Sequence, residues 1–185
     1  KAHGIQAMSM GFLVTEKTDT RTLERFYLPA EKTGTLDIDS PEVRKFIALL
    51  ASRKIVIDPT LATFNFLRQM DGVMSQEFAA VADNVPPDVR RSFLSAQMKI
   101  PDEKTHQRYE KSYAAMVEFV GRMYKAGIPI VAGTDDIPGF TLQRELELYV
   151  EAGLTPMQAL QIATYNGAKY ARVLDDRGVI SPGRR

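Results

Sequence analysis

The chain has 185 residues, 44% of them hydrophobic, with 24 Lys and Arg against 23 Asp and Glu, a net charge of +1, and no Cys. This size suits one domain, 1–185 with 174–185 as a terminal linker, and the apolar fraction supports a folded core rather than disorder. Near-neutral charge gives no electrostatic case for nucleic acid or an anionic membrane, no apolar run reaches the roughly 20 residues of a membrane span, and the lack of Cys excludes disulfides, thiolate zinc sites and a cysteine nucleophile. The opening Lys1-Ala2-His3-Gly4 is followed by no signal-peptide core. It lacks an initial Met, which suggests a trimmed start. A Cys-free chain of this kind is expected in the cytoplasm. Residues 4–14 are apolar and Met-rich and read as a buried strand or an irregular core segment, with Met8 and Met10 beside Phe12 as core or subunit contacts. Residues 15–39 are a polar excursion with one short helix near 23–28. Ser40-Pro41-Glu42 then opens a helix: Ser caps, Pro fits the first position, and Glu favours the positive end. Val43, Phe46, Ile47 and Leu50 follow at helical spacing. Ile55-Val56-Ile57 is a β-branched run closed by Asp58-Pro59-Thr60, a buried strand ending in a turn.

Residues 61–102 carry fewer signals. Pro86-Pro87-Asp88 predicts a helix to about Gln97, and Pro101 ends the unit. From Glu103 to Ala126, Tyr109, Tyr113, Met116, Val117, Val120 and Tyr124 form one apolar stripe, a core or interface face. Gly127 stops this helix and Pro129 precedes the strand Ile130-Val131-Ala132. A helix over 142–152 ends at Gly153. Thr155-Pro156-Met157-Gln158 has capping-box form, and Asn166-Gly167 breaks the helix it opens before a final turn at 168–173. The alternation predicts α/β: a helix-rich partial (β/α)8 barrel with about three parallel strands. Three strands leave edges whose backbone groups need partners, so a homodimer or higher homo-oligomer is expected. The alternative is a mostly α rearranged fragment.

The most informative stretch is Ile130-Val131-Ala132-Gly133-Thr134-Asp135-Asp136, an apolar run that delivers carboxylates to the mouth of an α/β site. Asp135 is a general base or nucleophile, or else a capping aspartate before Ile137-Pro138-Gly139. Asp136 is a turn residue, or a partner whose proximity makes one carboxyl hold its proton more tightly. Asp58 and Thr60 either line the same mouth or cap the next helix. His3 is a general base or a mobile terminal imidazole. Gln143, Arg144 and Glu145 begin a helix that can face the pocket. Arg144 either grips a carboxylate or phosphate oxyanion or pairs with a surface Glu. Tyr165 and Asn166 cap the preceding helix, and Tyr165 is also a candidate substrate contact. The candidate catalytic set is therefore Asp135, His3, Asp136 and Asp58, and the candidate substrate contacts are Thr60, Gln143, Arg144 and Tyr165.

Several segments resemble the amidohydrolase superfamily, its imidazolonepropionase-like and prolidase-like members above all. They are Val56-Ile57-Asp58-Pro59-Thr60-Leu61, the run from Ala126 to Asp135, Glu145 to Pro156, Ala159 to Thr164, Asn166-Gly167-Ala168, and Gly178-Val179-Ile180-Ser181-Pro182-Gly183. Together they cover most of 40–60 and 115–183. The resemblance implies a (β/α)8 barrel beside a small β-sandwich. It also implies metal ligands from a His-x-His on the first strand, a Lys or Glu on the fourth, histidines on the fifth and sixth, and the aspartate of the eighth, here Asp135. This chain is similar to the part from the sixth strand to the sandwich boundary. The sixth-strand histidine aligns near Ala7, and Gln143 stands where related chains often carry His.

With two histidines, His3 and His106, the ancestral binuclear zinc is not expected and no cofactor is assigned. A divalent metal at Asp135 is the alternative, with Asp136, Asp58 and Glu145 suiting Mg or Ca better than Zn. The expected function is hydrolysis of a small-molecule activated ester, amide or phosphoester with water as acceptor. The alternative is a non-catalytic, oligomeric half-barrel fragment.

Overall fold

Ile57 forms the centre of a small parallel sheet, seen in a computed structural model that describes residues 2–5, 12, 17–74, 76–79, 81–137 and 139–185. Strand β1 (Ala2–His3) pairs in parallel with β2 (Ile57–Asp58), Ala2 opposite Ile57 and His3 opposite Asp58. On the other side Ile57 bridges Ile130, also in parallel. Ile57 donates to the Pro129 carbonyl at 2.8 Å and Val131 donates to the Ile57 carbonyl at 2.9 Å. Three parallel segments are thus adjacent and in chain order. The third is one bridge rather than the expected strand 130–132, because the backbone leaves the ladder toward Asp135, whose φ is +52°. The first strand is Ala2–His3, and most of the expected segment 4–14 lies outside the described residues. Ala7, Met8, Met10 and Pro138 lie outside the described residues.

Helices connect the segments. Helix α1 (Glu24–Lys32) is longer than the sequence suggests and passes into a 3₁₀ turn (Thr33–Thr35). Helix α2 (Pro41–Ser52) begins as expected, Ser40 Oγ accepting from the Val43 amide. After β2 come a 3₁₀ turn (Thr63–Leu67), α3 (Gln76–Ala79), a second 3₁₀ turn (Ala82–Asn84) and α4 (Pro87–Ser92). Helix α4 stops short of Gln97 because Phe93 turns into the core, where it is 4% exposed.

Helix α5 (Glu103–Lys125) is capped by Asp102 and ends before Gly127, whose φ of +77° suits glycine. Its stripe is core: Tyr109, Tyr113, Met116, Val117 and Val120 are all buried within the single chain. Phe12 packs edge-on against Phe46 and Phe119, with ring centroids 5.3 and 6.5 Å away.

Helix α6 (Thr141–Glu151) is followed by α7 (Pro156–Gln161), where Thr155 and Gln158 form the expected capping box. The predicted break at Asn166-Gly167 does not occur. Helix α7 continues through a π turn (Ile162–Asn166) into α8 (Gly167–Tyr170). Asn166 caps nothing; its side-chain amide donates to the Ile130 carbonyl at 2.9 Å and ties this helical stretch to the third segment. Residues 171–185 carry no helix or strand. Among the described residues no helix is long and apolar enough to cross a membrane. The result is a helix-rich fold around a small parallel sheet.

Candidate active site

The parallel register brings three sequence-distant side chains to one end of the sheet. Residues directly opposite on neighbouring strands present their side chains to the same face. His3 opposite Asp58 therefore sets imidazole beside carboxylate, Nδ1 3.3 Å from Asp58 Oδ2. The third segment delivers Asp135 to the other ring nitrogen, with Nε2 2.5 Å from Asp135 Oδ2. The group grades from core to solvent: the Asp58 side chain is 7% exposed, His3 46% and Asp135 60%. Three of the four expected catalytic residues thus converge.

An imidazole between two carboxylates is best satisfied as imidazolium, which donates from both nitrogens. The His3 pKa is accordingly raised from 6.5; the Asp135 hydrogen bond is the largest cause, burial opposes it, and the Asp58 hydrogen bond adds to it. Asp136 does not join this pair. Its Oδ1 accepts from the Ile137 amide at 2.7 Å, and burial raises its pKa against that bond.

Two strand ends hold left-handed non-glycine residues, Thr60 at φ +54° and Asp135 at φ +52°. Aspartate tolerates this region, whereas for a β-branched threonine it is a genuine outlier of the kind that clusters at functional sites. Gly133 has a separate reason. A Cβ built there would stand 2.5 Å from Asp58 Oδ1 and 2.8 Å from Oδ2, so only glycine lets the third segment pass the buried carboxylate.

Behind the site, α6 turns Glu145 fully into the core. Glu145 Oε2 accepts from the Ala62 amide at 2.7 Å, which anchors the turn after β2. Burial pushes its pKa up to about 7. One turn on, the Tyr149 hydroxyl donates to the Val131 carbonyl at 3.2 Å. The same helix thus holds both segments that carry the site carboxylates. Helical periodicity places 145 and 149 on one face, which is the sequence signal for this pairing.

In front of Asp135 and Asp136 opens a cleft of about 550 Å³, walled by the 3₁₀ turn Thr63–Leu67, by Phe78, and by residues 92–97. This wall comes from the stretch that carried the fewest sequence signals. The four expected substrate contacts lie elsewhere. Thr60 is fully buried. Gln143 is exposed and its amide nitrogen, turned inward, reaches the Phe140 and Gly139 carbonyls. Arg144 pairs with Glu147 at 3.0 Å and Glu151 at 2.7 Å. Tyr165 lies 5.9 Å from Lys169 Nζ, measured to the ring centre.

The donor set bears on a metal. His3 and Asp135 offer one imidazole nitrogen and one carboxylate at a common point, and Asp58 braces the far ring nitrogen as a carboxylate does behind a metal-bound histidine. His3 thus supplies the imidazole beside Asp135. That makes two donors, whereas a catalytic zinc takes about three protein ligands. His106 is engaged on α5 with Glu103 and Glu110. Among the described residues no group of three or more His, Cys, Asp or Glu is placed to hold an ion. These residues do not by themselves fit a metal centre.

A sequence model of the amidohydrolase family matches residues 67–185. The chain is 42% identical over 69 residues to an imidazolonepropionase of Pyrobaculum arsenaticum, a stretch covering 35% of this chain and 17% of that one. It is 46% identical over 44 residues to an adenine deaminase of Ligilactobacillus salivarius, covering 24% of this chain and 7% of the deaminase. The matched stretches span less than a fifth of the imidazolonepropionase's length and less than a tenth of the deaminase's. No solved structure matched the chain.

Proposed function

The chain belongs to the amidohydrolase family, and on that premise we propose that it hydrolyses a small activated ester, amide or phosphoester through an Asp135–His3 pair, with no step routed through a metal. The single observation that carries this reading is the imidazole of His3 between Asp58 and Asp135. Asp135 Oδ2 is engaged with His3, so its exposed Oδ1 takes a proton from the attacking water. The water oxygen bonds to the acyl carbon or phosphorus. A newly protonated Asp135 holds the imidazolium less tightly, and the Nε2 proton of His3 passes to the leaving group as its bond breaks. Asp135 then returns its proton to His3. Water is consumed, one bond is cleaved and the pair is reset. Asp58 fixes the ring orientation throughout. The Cys-free composition supports a cytoplasmic setting.

The pH dependence of kcat/KM on an activated p-nitrophenyl ester tests this. Because His3 acts protonated and its pKa is raised above 6.5, the alkaline limb should fall above pH 6.5. It should move down in Asp58→Asn and vanish, with the rate lowered, in His3→Gln. An unchanged limb in His3→Gln would remove the imidazole from the mechanism.

A further inference from the structure

The cleft in front of Asp135 has a composition that selects among substrates. It is about 550 Å³, within the range of small-molecule pockets. Among the described residues that line it, the ionisable side chains are Asp135 and Asp136, and none is basic. Its apolar wall is aromatic. Phe78 and Phe93 stack with centroids 4.2 Å apart at 7°, and Phe66 is wedged edge-on against Phe26 at 5.2 Å. The wall is braced rather than loose: Gln69 Nε2 donates to the Phe93 carbonyl at 2.6 Å, and the Ala96 amide donates to Asp71 Oδ1 at 3.1 Å.

We infer that this cleft binds the non-reacting part of the substrate, and that this part is an aromatic group carrying no negative charge. The inference rests on the hydrolase reading for the word substrate, but the binding itself stands on the cleft. The half-buried rings of Phe66 and Phe78 gain from burying a substrate ring against them, with buried Phe93 stacked behind Phe78 as its support. Asp136, with no Arg or Lys among the described lining residues to offset it, repels an anionic tail, while Asp135, already paired with the His3 imidazolium, keeps its other oxygen to accept a hydrogen bond from an amide N–H or an ammonium. Of the three bond classes proposed above, this selects neutral aromatic esters and amides over phosphoesters, whose charged oxygens would face Asp135 and Asp136 with no Arg or Lys to receive them.

Equilibrium binding to the whole chain at pH 7.5 tests this, with three probes that share one ring: N-acetylphenylalanine amide, phenylalanine amide and N-acetylphenylalanine. The neutral and cationic probes should saturate below about 10 mM, a Kd range typical of small fragments. The anion should bind at least about tenfold more weakly, a gap of about 1.4 kcal/mol. Asp136→Asn should narrow that gap. Ala96→Trp, which fills the cleft, should abolish binding of the neutral probe while the melting curve confirms folding; if that variant does not fold, Gln97→Trp on the same wall replaces it. An anion that binds as tightly as the neutral amide, failure of all three probes to saturate, or full binding in the folded Trp variant would overturn the assignment. Turnover is read separately on the p-nitrophenyl ester of N-acetylphenylalanine. The expected binding pattern without turnover would uphold the cleft and sink the hydrolase reading.

Discussion

Two acidic residues, one at the site and one behind it, have opposite surroundings and opposite consequences. Asp135 is open to solvent and engaged with an imidazole. Glu145 is fully buried, and burial raises its pKa to about 7 although the Ala62 amide pulls the other way. Asp58 adds repulsion that raises it further. An acid whose folded pKa lies above its unfolded one binds more protons when folded. Its stabilising share is therefore complete below the unfolded pKa of 4.5 and is lost as pH rises through about 7. The span corresponds to about 3 kcal/mol as an order of magnitude. His3, with its raised pKa, loses its share in the same direction above 6.5. Thermal melts from pH 5 to 8 should show falling stability in the wild type and a shallower fall in Glu145→Gln. A slope unchanged by that substitution would mean that Glu145 is ionised throughout.

At the scale of elements, the third segment must slide past the Asp58 carboxylate, and Gly133 permits it. Gly133→Ala should leave α5 and the core intact yet displace Asp58 from His3. Activity should then fall at least about tenfold, in line with losing an aligned acid–base group, and the alkaline limb of the rate profile should move down. Retained activity with an unmoved limb would show that Asp58 yields without disturbing His3. Much of this architecture was legible in the chain. The caps Ser40 and Thr155, the α5 stripe, the stops at Gly127 and Gly153, and the Ile57 and Ile130 segments all follow from local pattern. Asp135 was legible from its place after an apolar run. What local pattern does not encode is register. That His3 faces Asp58 follows from pairing across 55 residues, and the meeting of His3 with Asp135 spans 132. The cleft wall over 63–97 was opaque for a related reason: short turns held by Gln69 and Asp71 have no periodicity to detect. Helical spacing allows Gln143, Arg144 and Glu145 alike to face the pocket because it does not say which face turns inward; Glu145 takes the inner face, and Arg144 adopts its surface-pair alternative with Glu147 and Glu151.

For the molecule as a whole, three parallel segments do not close a barrel, and their outer edges leave backbone groups to be paired. We propose that self-association pairs those edges. The Tyr113–Val120 stripe does not supply its surface, since that stripe is already buried within one chain. Light scattering at micromolar concentration should therefore give a dimer or larger symmetric species, and a stable active monomer would refute this. We propose that the Asp135–His3 pair is sufficient for hydrolysis. The most direct measurement is the hydrolysis rate of an activated aromatic ester by exhaustively chelated protein, wild type beside Asp135→Asn, with metal content checked by elemental analysis. The wild type should keep its rate while Asp135→Asn falls at least about tenfold at unchanged melting temperature. Loss of the wild-type rate on chelation, or an undiminished rate in the folded variant, would contradict it.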